Sequence, residues 1–181
     1  EHLDVIRFHT RAPLVTPDRI DDELTQLFLA QKKAMYVVVH VNHPQEINEA
    51  VQEAFFRLSR SGAVLLSQTV LLKDINNDAA VLEALFRTLI ANRVKPYYLH
   101  HPDLAPGTSH FRLGIKEGQD ILKQLRGRLS GLALPTYVLD IPGGYGKVPL
   151  TPSYLENLAN GAYSLEDYQG KHHAYPPKAM S

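Results

Sequence analysis

The sequence predicts an α/β fold built from parallel β-α repeats, and three observations carry that expectation. Four short stretches are rich in β-branched and aromatic residues and apolar on both faces, as buried parallel strands are. Amphipathic stretches of helical period lie between them. The residues that end each extended stretch turn polar together, "FHTR" (8–11), "HVNH" (40–43), "SQT" (67–69) and "HHPD" (100–103), which puts the chemistry-bearing side chains on one rim.

The first strand is expected at "HLDVIRF" (2–8). A helix follows from "TPDRIDDEL", where Thr16 can cap, Pro17 suits the first turn and acidic residues complement the positive helix end, with Ile20, Leu24, Leu27 and Phe28 facing the sheet. "AMYVVVHV" (34–41) gives the second strand, and the helix opening at "NHPQEI" aligns Ile47, Val51, Ala54, Phe55 and Leu58. "AVLLSQTVLL" (63–72) gives the third strand, and the helix from "NND" aligns Val81, Leu82, Leu85, Phe86 and Leu89. "VKPYYLH" (94–100) is the fourth strand; a further helix is expected over 114–131, and "LPTYVLD" (134–140) is a strand that delivers a glycine-rich loop. The tail "GKHHAYPPKAMS" is expected to hug the surface or fray. Right-handed crossovers between such strands give either an open parallel sheet or an arc of a barrel. The whole chain, 1–181, is expected to be one domain, with β-α repeats over 1–112 and helix, glycine–lysine loop and tail over 113–181.

Composition narrows the partners. Nineteen basic and nineteen acidic residues cancel, so no overall field draws the chain to nucleic acid or an anionic membrane. No apolar run approaches the roughly 20 residues that cross a bilayer and no signal peptide opens the chain, so a soluble, cytoplasmic protein is expected. There is no cysteine, which rules out disulfides, thiolate zinc sites and thiolate ligation of an iron–sulfur cluster by this chain.

The loop "DIPGGYGKVPL" (140–150) sets three glycines before Lys147. It is not a phosphate-binding P-loop: Val148 and Pro149 stand where a hydroxyl ligand and a helix should follow, and the upstream glycine is missing. Glycines let a ligand come close to the lysine, and partial burial would make its amine available for a Schiff base. The alternative is a solvated lysine on a glycine turn. Asp103 and Asp140 flank the same rim, either as a pair of carboxylates for a cation or as turn-capping residues. His40 and Gln68 end successive strands, either as ligand-binding groups or as polar groups satisfied by backbone. The histidine pairs His40/His43, His100/His101 and His172/His173 lack a convincing third ligand, so no metal site is assigned.

"DIPGGYGKVPLTPSY", "PYYLHHPDLAPGTSHFR", "LRGRLSGLALPTYVLD", "HVNHPQEI" and "LLSQTVLLKDINND" together resemble the carboxyl-terminal part of the lysine 2,3-aminomutase family, in order over residues 3–155. The resemblance implies an incomplete TIM-like α/β barrel and an isomerase that uses pyridoxal phosphate, S-adenosylmethionine and a [4Fe-4S] cluster. In such enzymes a 5'-deoxyadenosyl radical removes a β-hydrogen and the α-amino group of lysine migrates to the β-carbon. It also implies Lys147 as the lysine that carries pyridoxal phosphate, His40 and Gln68 as S-adenosylmethionine contacts, and Asp103 and Asp140 as the carboxylates that hold the distant ammonium of a lysine substrate. Tyr97 and Tyr98 match aromatic positions of the family, one expected toward the core and the other toward the lumen.

The sequence departs from the family in lacking the CxxxCxxC cluster loop and the arginine segments expected to bind the cofactor phosphate. A carboxyl-terminal fragment, inactive alone, is therefore expected, with a small amino acid as partner and a homo-oligomeric assembly, since the first strand has an exposed edge. Two alternatives stay open: a relative that makes β-lysine for elongation factor P, and a non-catalytic ligand-binding or assembly module that keeps the barrel arc.

Overall fold

The computed structural model describes residues 2–176. Its centre is a six-stranded sheet in the order β1 (Val5–Thr10), β2 (Ala34–His40), β3 (Val64–Val70), β4 (Lys95–His100), β5 (Thr136–Asp140) and β6 (Lys147–Pro149). The first five strands pair in parallel and in sequence order, as the β-α pattern predicts; β6 returns antiparallel to β5. All four expected strands and the strand before the glycine loop are present, each within a few residues of its expected bounds.

Alternation along the strands sorts the sheet into two unlike faces. Met35, Val37 and Val39 of β2 and Leu65 of β3 enter the core with Val51, Ala54, Phe55 and Leu58 of helix α3 (Glu49–Arg60) and Leu82, Leu85, Phe86 and Leu89 of α4 (Ala79–Ala91). Of the alternate positions, Val38 is fully buried, while Tyr36 and His40 on β2 and Leu66, Gln68 and Val70 on β3 are only half-buried. One face thus carries the helices, and the other presents its polar side chains.

The helix boundaries differ from expectation where two caps compete. Thr16 does not cap a helix: it sits between the single turn α1 (Ala12–Val15) and a 3-10 turn over Pro17–Arg19, and its hydroxyl donates to the Ala12 carbonyl at 3.2 Å. Helix α2 (Asp22–Leu29) opens later, capped by Asp21, whose carboxylate accepts from the Leu24 amide at 2.9 Å. That start puts Leu24 and Phe28 against the core, with Phe28 stacked on Phe8, and leaves Leu27 in solvent, contrary to its expected inward orientation. Ile47 is buried but precedes α3, whose cap is Asn48. Helix α5 (Ile115–Leu125) ends earlier than the expected 131 and buries Gly118, Ile121, Leu122 and Leu125.

The tail is more ordered than its polar composition suggests. β7 (Leu155–Asn157), β8 (Tyr163–Glu166) and β9 (His172–Tyr175) form a second, antiparallel sheet, so residues 172–175 are a strand and not a frayed end; residues 177–181 of the tail lie outside the described residues. This sheet is fastened to α5 by polar contacts: Lys123 pairs with Glu166 at 2.6 Å, and the Arg126 guanidinium lies 4.0 Å from the Tyr154 ring centre. The β8–β9 turn is closed by Asp167, whose carboxylate accepts from His173 at 2.7 Å and from the amides of Gln169 and Lys171. Those bonds, the His173 one foremost, hold the Asp167 carboxyl at about 2. A depressed carboxyl stabilises the turn above its unfolded pKa near 3.8, and that support is lost as pH falls through about 2. The Lys171 amide should therefore stay protected from hydrogen exchange at pH 4 and open as pH approaches 2; opening already at pH 4 would contradict the assignment.

Candidate active site

The carboxyl ends of the strands meet on the uncovered face in a cleft of about 390 Å³ lined by Arg7, His9, His40, Gln68, Tyr98 and His100, with Asp103, Asp140 and Lys147 among the groups at its rim. All five residues singled out in the sequence line this one cleft. Parallel pairing explains it: His40 stands opposite Gln68, Gln68 opposite Tyr98, and Val70 opposite His100, so successive strand ends deliver successive side chains.

Lys147 arrives by a different route. The residues from Ile141 to Gly146 fold back as a hairpin, closed by the Ile141 amide donating to the Gly146 carbonyl at 2.8 Å, with Gly143, Gly144 and Gly146 at φ of 94°, 82° and 92°. Those positive values favour glycine over any other residue. The return strand sets Lys147 directly across from Asp140, and their side chains form an ion pair. The Lys147 bond is the main reason the Asp140 carboxyl sits below its ordinary value. Asp140 therefore does not cap the glycine loop, as one reading of the sequence had it; its second oxygen, Oδ2, lies 3.2 Å from His100 Nδ1.

Asp103 is exposed at the cleft mouth, and its carboxylate has no hydrogen bond among the described residues. Next to it, His101 is hydrogen-bonded through Nδ1 to the Tyr137 hydroxyl at 2.7 Å. On the other side, Gln68 Oε1 accepts from His9 Nδ1 at 3.2 Å. His40 is half-buried, and desolvation is the leading cause that lowers its pKa; its Nε2 is buried with no partner among the described residues, so no backbone carbonyl satisfies it. Below it, Asn42 and Asn76 tie the strand ends together: Asn42 Oδ1 accepts from the Val70 amide, and Asn76 Nδ2 donates to the Asn42 and Val70 carbonyls.

The two tyrosines correct an expectation. In an unbroken strand Tyr97 and Tyr98 would point to opposite faces, but the register steps from Ser67 opposite Pro96 to Gln68 opposite Tyr98, leaving Tyr97 as the extra residue of a bulge. Both rings consequently line the cleft, 3.8 Å apart at their centres, with the Tyr97 hydroxyl donating to Tyr98 at 2.9 Å. Arg7, His9 and His100 are cleft residues that the sequence did not single out for ligand binding, although His9 and His100 lie in the polar strand ends "FHTR" and "HHPD". The adjacent histidines take separate partners, His100 with Asp140, His101 with Tyr137, His172 with Ser164 and His173 with Asp167. No group of three or more histidine, aspartate or glutamate side chains is placed to hold a metal among the described residues.

A largely parallel sheet with helices on one face and a lysine, two carboxylates and several imidazoles on the carboxyl rim of the other defines an α/β protein with a polar rim cleft. Over nearly its whole length the chain is similar to the lysine 2,3-aminomutases, matching the carboxyl-terminal part of that family. Residues 122–180 match the family model described as lysine-2,3-aminomutase. An L-lysine 2,3-aminomutase of Methanococcus maripaludis is 39% identical over 94% of this chain and 39% of its own length. The L-lysine 2,3-aminomutase of Bacillus subtilis is 38% identical over 97% of this chain and 37% of its own length. A glutamate 2,3-aminomutase of Clostridioides difficile is 39% identical over 94% of this chain and 40% of its own length. The chain thus spans less than half the length of these relatives.

Proposed function

We propose that this chain supplies the lysine- and carboxylate-bearing rim of an aminomutase that interconverts L-lysine and β-lysine by moving the α-amino group to the β-carbon. The observation that carries the reading is the convergence of Lys147, Asp140, Asp103, His40 and Gln68 on one cleft. The helix-covered sheet with one open face is, on this reading, an arc of a partial TIM-like barrel whose lumen is that face.

The residues present fit two of the three groups that the resemblance implies. Lys147 offers a half-exposed amine at the cleft edge, which suits a carbonyl-bearing cofactor such as pyridoxal phosphate. His40 has a buried ring nitrogen with no partner among the described residues, beside Gln68, which suits a polar ligand such as S-adenosylmethionine. A [4Fe-4S] cluster does not fit, because the chain has no cysteine thiolate to ligate it. Bound at Lys147, pyridoxal phosphate would supply a conjugated π system able to stabilise the unpaired electron of a radical amino shift. The chain's own residues bind and orient: Asp103 and Asp140 attract the distal ammonium of lysine, and the rings of Tyr97 and Tyr98 narrow the cleft.

Treating the protein with pyridoxal phosphate and borohydride, then mapping the labelled peptide, tests the assignment. Lys147 should carry the label, and Lys147→Arg should abolish it. The competing amine is Lys95, whose pKa burial lowers but whose Nζ donates to the Pro96 and Leu134 carbonyls at 2.7 and 2.9 Å. Label on Lys95 or any lysine other than Lys147 would overturn the reading.

Self-association belongs to the same proposal. β1 pairs only with β2 among the described residues, and Leu3, Val5 and Phe8 beside its open edge are exposed. Unpaired backbone beside apolar side chains recruits another strand. Sedimentation should show a concentration-dependent dimer or larger species; a strict monomer at millimolar concentration would refute it.

A further inference from the structure

The proposed chemistry gives no role to His100, a largely buried cleft residue. Its ring stands at the end of β4 with 14% of the side chain exposed. Nδ1 is 3.2 Å from Asp140 Oδ2, while the other oxygen of that carboxylate, Oδ1, receives the Lys147 ammonium. An ionised carboxylate only accepts, so Nδ1 carries the proton and the neutral ring keeps a lone pair on Nε2. Nε2 is buried and has no partner among the described residues. One hydrogen bond and the edge of the Tyr98 ring, 5.7 Å away at 81°, therefore hold the imidazole. The charged and titratable groups that face it are Asp140 from β5, Lys147 from β6, Asp103 from the loop after β4 and His40 from β2. Burial outweighs the Asp140 bond and lowers the His100 pKa, which favours the neutral ring at pH 7.

The geometry points to His100 as a positioning residue: by donating to Oδ2 it turns the Asp140 carboxylate so that Oδ1 faces Lys147, and so fixes where the rim amine stands. An Asp–Lys pair with 38% and 41% of its side chains exposed has little hold of its own, since water screens such pairs and holding two side chains in one geometry costs entropy. A carboxylate turns freely about its terminal bond unless one oxygen is held. His100 supplies that hold from the buried side. The inference rests on Lys147 being the working amine of this rim, but its test reads the amine directly and needs no cofactor.

In the ¹⁵N-labelled protein, the Lys147 ammonium is assigned by its loss in Lys147→Arg, and its order parameter is compared with that of exposed Lys171. Lys147 should be clearly more ordered. The difference should vanish in His100→Leu and persist in His100→Gln, whose amide can donate to the same oxygen. The imidazole ¹⁵N shifts should show Nδ1 protonated and Nε2 bare. A Lys147 ammonium as mobile as Lys171, unchanged order in His100→Leu, or a ring protonated at Nε2 would each overturn the proposal. The ring reading needs only the wild-type protein, so it decides even if His100→Leu does not fold. If these results hold while pyridoxal phosphate labels another lysine, the proposed function falls and the positioning role stands.

Discussion

Gly118→Ala is expected to lower the unfolding free energy by about 1–3 kcal/mol, the usual cost of overpacking a filled interior. Helix propensity alone points the other way, because alanine favours a helix interior over glycine by about 1 kcal/mol. Packing wins because a Cβ at Gly118 would overlap the Tyr137 hydroxyl and crowd its ring. Tyr137 is fully buried, and its hydroxyl is tied to His101 at 2.7 Å, so a shift of the ring disturbs both its packing and that bond. Displacing the phenol leaves a buried polar group short of a partner, an additional cost of about 1–3 kcal/mol where it occurs. The site is affected as well: Tyr137 shares β5 with Asp140, and His101 leads into Asp103. Urea unfolding of the single variants and of Gly118→Ala/Tyr137→Phe forms a double-mutant cycle, and the pair should lose less than the sum of its parts. Gly118→Ala as stable as the wild type would mean that the close approach of α5 to Tyr137 does not constrain the fold.

Side chains that act through their own stretch of chain were the legible ones. The strands announce themselves in runs such as "MYVVVHV", and strand ends on one rim follow from parallel order, which is why His40, Gln68 and Asp103 could be grouped before any contact was known. Features decided by a partner strand were not legible. The bulge that brings Tyr97 into the cleft beside Tyr98 exists only in the register of β3 against β4. The glycine run marked a turn, but that Lys147 lands opposite Asp140 depends on β6 returning antiparallel. Thr16 and Asp21 both offer a cap before α2, and side-chain chemistry alone ranks such neighbours poorly. The small sheet left a readable trace, the turn over Asp167–Gly170 with Gly170 at φ 79°, but its strands are short and polar enough to resemble loop. His100 looked like half of a histidine pair, and its true partner lies 40 residues away on the next strand.

Substrate choice should separate the two carboxylates. In a protein of the relatives' full length carrying these residues, Asp103→Asn is expected to weaken lysine use roughly ten- to hundredfold, the rate equivalent of one charge-assisted hydrogen bond of about 1.5–3 kcal/mol. Asparagine keeps the shape and removes the charge. Because Asp103 has no hydrogen bond among the described residues, its carboxylate is available to a cation without breaking another contact, and Asp103→Asn should leave pyridoxal phosphate capture at Lys147 intact. Asp140 is already engaged by Lys147 and His100, so Asp140→Asn should weaken lysine use by at least as much and also disturb capture at Lys147. Part of each loss should appear in kcat as well as in KM, since binding energy far from the migrating nitrogen also positions the reacting carbon. Similarity of the chain to both lysine and glutamate 2,3-aminomutases makes glutamate the informative competitor. An anionic side chain is repelled by two carboxylates, so glutamate turnover should be poor in the wild type and should not fall further in Asp103→Asn. Wild-type lysine efficiency in both aspartate variants, or glutamate turned over better than lysine, would remove these two residues from substrate binding and the lysine-specific reading with them.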